Sequence, residues 1–245
     1  MQDYSIKSSQ NVPLISIIIV TLNAEKFITN TINSILNQDF NSYEIIVIDG
    51  QSKDSTLNVI IPFKKRIEKI ITEKDEGIYD AMNKGIKNSC GDWLIYLNAG
   101  DIFFNNHVLS NVSDSLQINN FDIIYGDYAL YSNDVIEQSS KINKFYFFSH
   151  TICHQSAFIK RTVFKQIGNH DLSYKIISDR DFFTRAYTEK LKFSKINVII
   201  CFWDSVGFSS KNHKLYINEV TRFRKLNFSI FDMVTILFKK AIKKL

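Results

Sequence analysis

Two unbroken aliphatic runs, ISIIIVT at 15–21 and YEIIVID at 43–49, constrain the fold more than anything else in the sequence. Neither alternates polar with apolar residues, as a strand with one wet face does. Strands of this kind are buried on both sides, so the chain must supply a cover for each face. The segments between them do so. AEKFITNTINSILNQ at 24–38 gathers Phe27, Ile28, Ile32, Ile35 and Leu36 on one helical face. DSTLNVIIPFKKRI reads as a second helix, broken or kinked at Pro62. A short strand KIITE (69–73), a helix GIYDAMNKGIKNS (77–89) and a strand DWLIYLN (92–98) follow. Strand and helix alternating in this order predict right-handed βαβ units, an α/β chain with a mostly parallel sheet covered by helices on both faces.

Beyond residue 105 the pattern loosens. FDIIYGDYALY reads as a strand entering a hairpin, CHQSAFIK as a strand, and RTVFKQIG as a short helix closed by Gly168. SDRDFFTRAYTEK (178–190) reads as a helix with Ser178 at its N-cap. FSKINVIICF (193–202) is strand-like, and FSIFDMVTILFKKAIKKL is an amphipathic helix with a basic end. The 245 residues suffice for one large domain or two small ones, and two prolines and eight glycines mark no boundary between them. Cys90, Cys153 and Cys201 are far apart, show no metal-type spacing and fit a reducing compartment. A net charge of +5 is too small to argue for a nucleic-acid partner. MQDYSIKSSQNVP has no signal-peptide core, and no stretch approaches the ~20 apolar residues of a membrane-spanning helix. A cytoplasmic protein is therefore expected.

In an open parallel sheet, ligands bind beyond the carboxyl ends of the strands. Those ends carry Thr21-Leu22-Asn23, then Asp49-Gly50, then Asp75 within EKDEG, then Asn98-Ala99-Gly100-Asp101. TLNAEKF has no glycine, so the dinucleotide fingerprint is absent. Acids from three successive strands repel bare phosphate, and Mg²⁺ or Mn²⁺ is the cofactor that reconciles the two. Ala99 and Gly100 let a diphosphate approach the backbone closely. Taken singly, Asp49, Asp75 and Asp101 are equally well explained as turn formers. Their convergence on one edge favours a site.

Four segments in order, PLISIIIVTLNAEKFITNTINSILNQ, YEIIVIDGQSKDST, ITEKDEGIYDAMNKGI and GDWLIYLNAGD, resemble the nucleotide-sugar-binding segments of family 2 glycosyltransferases. The resemblance is strong over residues 13–104 and weaker through CHQSAFIKR and ISDRDFFTRAY to about residue 210. The KDEGIYDAMNKGI and LNAGD forms look most like the branch that builds bacterial surface polysaccharides such as O-antigen, capsule and exopolysaccharide. The resemblance implies the GT-A fold, with a 13–104 nucleotide-sugar-binding half and a 105–210 acceptor half making one domain at 13–210. An N-terminal extension (1–12) and a helical tail (211–245) flank it. It also implies inverting transfer of a hexose from a nucleotide-sugar, a UDP-sugar being expected, to a lipid-diphosphate-linked saccharide acceptor.

The resemblance further assigns roles. Thr21, Leu22 and Asn23 would line the uracil and ribose pocket, and Asp49 would accept a hydrogen bond from the base. Asp75 and Asp80 would make further nucleoside or sugar contacts. Asp80 shares a helix face with Asn83 and Lys84, so an ordinary i,i+4 ion pair is its alternative. Asn98, Ala99, Gly100 and Asp101 stand where the family carries its DxD metal motif. Asn98 replaces the first acid, which leaves Asp101 as the one strong metal ligand. Inversion needs a base to take the acceptor proton, while a metal offsets charge on the leaving diphosphate. Asp179 aligns with the acid of the family's ED motif, with Ser178 in place of the Glu. Asp181, in the same turn, reads as a complement to the helix dipole. His154 and Gln155 resemble an acceptor-side element. Trp203 and the 205–214 loop, with Lys211 and His213, would cover the donor diphosphate.

The basic tail suits an interfacial helix on an anionic membrane surface, peripheral to the inner face of the cell membrane, with a docking helix as the alternative. Two rivals stay open at this point. A metal-dependent nucleotidyltransferase would need a glycine-rich phosphate loop that TLNAEKF lacks. A non-catalytic sugar-nucleotide-binding module would have lost its metal acid at Asn98.

Overall fold

The computed structural model describes residues 12–118, 120–131, 134–138, 140–203, 212–232 and 235–236. The two aliphatic runs become β1 (Ile15–Thr21), buried at every residue, and β2 (Tyr43–Asp49). They pair in parallel without a break in register, from Ile15 beside Tyr43 to Thr21 beside Asp49. β3 (Lys69–Thr72) extends the sheet beyond β2, and β4 (Trp93–Tyr96) pairs with the other side of β1, both in parallel. The crossovers are α1 (Ile28–Leu36), α2 (Thr56–Ile60) and α3 (Ile78–Asn88). After Ile60 the helix tightens to a 3₁₀ segment, Ile61–Arg66, at Pro62. Pro62 has no N–H to donate, so the α-helical bonding stops there.

Strand parity sorts the side chains onto two faces. Ile15, Ile17, Ile19, Ile45, Val47 and Trp93 meet Ile28, Ile32 and Ile35 of α1 and Val108 and Val112 of α4 (Val108–Gln117). Ile18, Val20, Ile46, Ile48, Leu94 and Tyr96 meet Tyr79, Met82 and Ile86 of α3 and Phe182, Phe183 and Ala186 of α7 (Ser178–Thr188). Each large aliphatic side chain buried this way stabilises by about 1.5–3 kcal/mol. Helices therefore cover both faces, as the unalternating strands require.

The second half extends the same sheet under different rules. β8 (Ala157–Lys160) runs antiparallel to both β4 and β6 (Ile123–Leu130). β9 (Phe193–Trp203) runs parallel to β6 with its register shifted around Asp127, and β5 (Ile102–Phe103) pairs antiparallel with β9. β7 (Val135–Ile136) folds back on β6 as the expected hairpin. Among the described residues the strand order is β3-β2-β1-β4-β8-β6-β9-β5, with β7 on β6. α5 (Lys144–Ser149), α6 (Arg161–Ile167) and α8 (His213–Asn227) complete the cover.

Two expectations change. CHQSAFIK is not one strand: His154–Ser156 form a 3₁₀ turn and only Ala157–Lys160 joins the sheet. The buried Gln138 accounts for this. Its Oε1 accepts from the Cys153 backbone N–H at 2.8 Å, and its Nε2 donates to Gly126 O and Ser156 Oγ, pinning the segment away from a ladder. Ser178 is not the N-cap of α7 but its first residue, and its hydroxyl donates to the Asp171 carbonyl at 2.9 Å. The tail begins by docking: Phe228 and Ile236 are buried with Val220 and Phe223 of α8 and with Phe148, Tyr174 and Ile177. Ile230 and Phe231 are 78% and 80% exposed. Residues 1–11, Lys211 and the basic end at 237–245 lie outside the described residues. Among the described residues no helix is long and apolar enough to cross a membrane.

Candidate active site

The carboxyl ends of β1 and β2 lie side by side, and the loops leaving them are tied together. Asp49 is fully buried and accepts from the Ser52 backbone N–H (3.1 Å) and hydroxyl. The Ser52 hydroxyl oxygen accepts from the Asn23 backbone N–H at 2.8 Å, and Asn23 Oδ1 accepts from the Lys53 N–H at 2.8 Å. Ala24 N–H donates to Thr56 Oγ1 at 2.7 Å. These bonds hold Asn23 and Gln51 at φ +51° and +64°, a region that L-residues other than asparagine rarely adopt. Asp49 thus fixes the turn and lines neither cavity beside it.

A cavity of about 500 Å³ lies over this edge, lined by Thr21, Leu22, Asp75, Asp80 and Tyr79 among others. The Asp75 carboxylate lies over Gly50, too close to leave room for a β-carbon on residue 50. It also accepts from the Gly77 N–H at 3.1 Å. Asp80 accepts from the Glu76 N–H at 3.0 Å and pairs with Lys84 at 3.1 Å, so the i,i+4 ion pair read from the sequence is present. Burial opposes charge on Asp80, but these partners outweigh it and lower its pKa. Asn83 points elsewhere: its amide brackets the backbone of His170.

The larger cleft, about 970 Å³, adjoins this cavity and shares Leu22, Ile78, Tyr79, Ala99 and Lys175 with it. It contains Asn23, Asn98, Ala99, Gly100, Asp101, His154, Gln155 and Asp179, so most residues singled out from the sequence meet in one space. The run WLIYLN leaves the sheet beside β1, with Leu97 and Ala99 N–H groups bonded to the Ile18 and Val20 carbonyls at 3.0 Å. Gly100 has φ +112°, which turns the chain so that its N–H reaches Thr31 Oγ1 and Asp101 enters the cleft. Asp101 is 4% exposed and accepts from Gln155 Nε2 at 3.2 Å.

Two hard oxygens therefore stand here, the Asp101 carboxylate and the Asn98 Oδ1, the latter buried without a hydrogen-bond partner among the described residues. Oxygen donors of this kind suit Mg²⁺ or Mn²⁺. Among the described residues no three His, Cys, Asp or Glu side chains cluster as a metal cage. The donor set fits a cation whose remaining ligands come from substrate phosphates.

Asp179, in the first turn of α7, is 9% exposed. The Tyr79 hydroxyl donates to the Ile176 carbonyl at 2.7 Å and lies 3.2 Å from Asp179 Oδ1. His154 Nδ1 lies 3.5 Å from Asp179 Oδ2, and its Nε2 meets the Asn98 amide at 3.3 Å. A neutral ring protonated at Nδ1 satisfies both neighbours, donating to Asp179 and accepting from Asn98. Burial opposes charge on both groups. The His154–Asp179 contact outweighs it, lowering the Asp179 pKa and raising that of His154 above its ordinary 6.5. Asp181 pairs with Arg185 at 2.8 Å and stays out of the cleft.

Sequence reasoning missed three groups. Tyr79 of α3 lines both cavities. Arg180, flanked by Asp179 and Asp181, is 5% exposed and lines the cleft. His170 is buried against Tyr79, Tyr96 and Phe182, and burial takes its pKa to about 3, so it stays neutral. Trp203 lines the cleft, edge-on to Tyr128, whereas His213 is an exposed residue at the start of α8.

Comparison with known proteins bears on the family and the fold. The family described as Glycosyl transferase family 2 matches residues 16–177. A PGL/p-HBAD biosynthesis glycosyltransferase of Mycobacterium tuberculosis is 30% identical over 200 residues, 80% of this chain and 78% of that protein. The Escherichia coli UDP-Glc:alpha-D-GlcNAc-diphosphoundecaprenol beta-1,3-glucosyltransferase WfgD is 32% identical over 124 residues, 50% of this chain and 49% of that one. Among solved structures, S. aureus TarS 1-349 in complex with UDP-GlcNAc aligns with a TM-score of 0.72 and 18% identity, covering 87% of this chain. The chain spans 66% of that structure, and the likeness concerns the fold, which is GT-A.

Proposed function

Because the chain belongs to glycosyl transferase family 2, we propose that this glycosyltransferase moves a hexose, with inversion, from a UDP-sugar to a lipid-diphosphate-linked saccharide in surface-polysaccharide assembly. One observation carries the reading. A buried carboxylate, Asp179, is held by Tyr79 and His154 in the same cleft as Asp101 and Asn98. The acceptor hydroxyl meets Asp179, which takes its proton as the acceptor oxygen bonds to the anomeric carbon. The bond from that carbon to the diphosphate oxygen breaks on the opposite face, and the nucleoside diphosphate leaves. Tyr79 and His154 fix the carboxylate's orientation.

Thr21, Leu22, Asn23, Asp75 and Asp80 take the nucleoside end, with Asp49 acting on it through Ser52 and Asn23. Gln155 positions Asp101. When bound, Mg²⁺ or Mn²⁺ offsets charge on the departing diphosphate, and Asp101 with Asn98 Oδ1 would hold it. Equal UDP affinity with and without Mn²⁺ in calorimetry removes that assignment. This reading gives residues 13–104 the donor and 105–210 the acceptor.

The tail suits peripheral attachment to an anionic membrane. Phe228 and Ile236 anchor it, while Ile230 and Phe231 stand exposed. Replacing Ile230 and Phe231 with Asp should reduce co-flotation with anionic vesicles; unchanged flotation refutes it. The transfer reading itself is tested by a donor screen. A UDP-hexose should release UDP only when a sugar-diphosphate-lipid acceptor is present. Release from no sugar nucleotide would sink it.

A further inference from the structure

Arg180 is almost wholly buried, yet among the described residues its Nε and Nη1 meet no hydrogen-bond partner. Its Nη2 lies 3.5 Å from the Tyr216 hydroxyl, at the outer limit of a hydrogen bond. A guanidinium keeps its charge in any protein and presents its donors in a rigid fork. A buried charge left without partners is strongly unfavourable, so the fork is shaped for something that arrives. The adjacent carboxylate, Asp179, is engaged by Tyr79 and His154. Arg224 of α8 brings a second positive charge close by, and its Nε is occupied by the Phe148 carbonyl at 2.9 Å. Of the two only Arg180 lines the cleft; Asp179 beside it offsets part of its charge, and its open donors, with a second cation near, select an anion.

The position decides which anion. Arg180 lines the large cleft and not the smaller cavity over Thr21, Asp75 and Asp80. It follows Asp179 directly on α7, and its Nη2 reaches toward Tyr216 of α8. The acceptor must reach Asp179 from the side that the donor leaves open. We propose that Arg180 forms a phosphate-binding subsite on the acceptor side of Asp179, its Nε and Nη1 gripping the diphosphate of a lipid-linked acceptor. A planar fork matches two phosphate oxygens at once, which a lysine cannot do. The word acceptor rests on the transfer reading above; the anion site does not.

The test pairs two acceptors with the same sugar and alkyl chain, one joined through a diphosphate and one through a neutral ether. Arg180→Met keeps the stem and removes the fork, and Arg180→Lys keeps the charge; thermal melts followed by circular dichroism check that both fold. The wild type should prefer the diphosphate acceptor. In Arg180→Met the ratio of kcat/KM values for the two acceptors should fall by about 10- to 100-fold, as expected for loss of a charge-assisted pair. Arg180→Lys should recover part of it, and UDP affinity should stay within about twofold. If Arg180→Met does not fold, Arg180→Lys must lower the ratio alone. A weakened UDP affinity with an unchanged ratio would overturn the proposal in favour of the donor diphosphate, and no change in either would make Arg180 structural.

Calorimetric titration of the alkyl glycosyl diphosphate into UDP-saturated protein needs no turnover. If that probe binds the wild type and not Arg180→Met while no sugar nucleotide supports transfer, the subsite stands and the transfer reading falls.

Discussion

On the donor edge the loops satisfy one another. Asp49 holds Ser52, Ser52 holds Asn23, and Asn23 holds Lys53. On the acceptor edge the reverse is true. There the buried group without hydrogen-bond partners among the described residues is a charged one, the Nε and Nη1 of Arg180, whereas the comparable atoms of the donor edge, Thr21 Oγ1 and Asn98 Oδ1, are neutral. A loop network closed on itself is ordered before any ligand arrives, so binding there forfeits little conformational freedom. Buried groups left open gain most when a ligand completes them. One half of the cleft is a finished mould, and the other is finished by its substrate.

The comparison breaks most sharply at Asp179. Asp179→Asn should lower kcat by about 10²–10⁴-fold, the usual worth of a positioned base, with UDP affinity by calorimetry little changed. A loss of UDP binding comparable to the loss of rate would instead place Asp179 on the donor side. Next comes Gly50→Ala. Its new methyl displaces the Asp75 carboxylate, so UDP affinity should fall about tenfold, as far as in Asp75→Ala, and the double variant should add nothing. Additive losses would mean that the two residues do not share one contact.

The smallest effect is the pH profile. His154 has a raised pKa, so it is protonated below a pH that lies above 6.5. Protonated, it pairs with Asp179 and holds the lone pair that the acceptor proton needs. Transfer should decline on acidification through that range, although Asp179 itself stays ionised far lower because its own pKa is depressed. His154→Gln should move the acidic limb to lower pH and change the rate at pH 8 by only about a few-fold. An unmoved limb would assign it to another group.

The donor edge was legible because its information is local. ISIIIVT and YEIIVID announce buried strands without reference to any distant segment, and TLN, DG and NAGD follow directly from the strands that end there. The acceptor edge depends on contacts between remote segments. His154 left its expected strand because Gln138 captured the Cys153 N–H. Cys153 and Cys201, distant in sequence, become neighbours. Arg180 is buried and meets Tyr216 of α8, and nothing in SDRD signals α8. Asp49 was found correctly as a strand-end acid, but its task as a turn-holder is visible only once Ser52 is placed.

The position of β8 has a consequence for how the chain is made. β8 alone fills the place between β4 and β6. At ribosomal rates of ~5–20 residues per second, the edge of β4 waits several seconds, roughly sixty residues, for its partner. During that interval Trp93, Leu94, Ile95 and Tyr96 form an open apolar strand edge, the kind that adds to itself between chains. A fragment ending near residue 104 would hold that edge open permanently. It should aggregate rather than serve as a minimal nucleotide-binding unit, and the chain that cannot be cut there is the one in which donor and acceptor halves share a strand pairing.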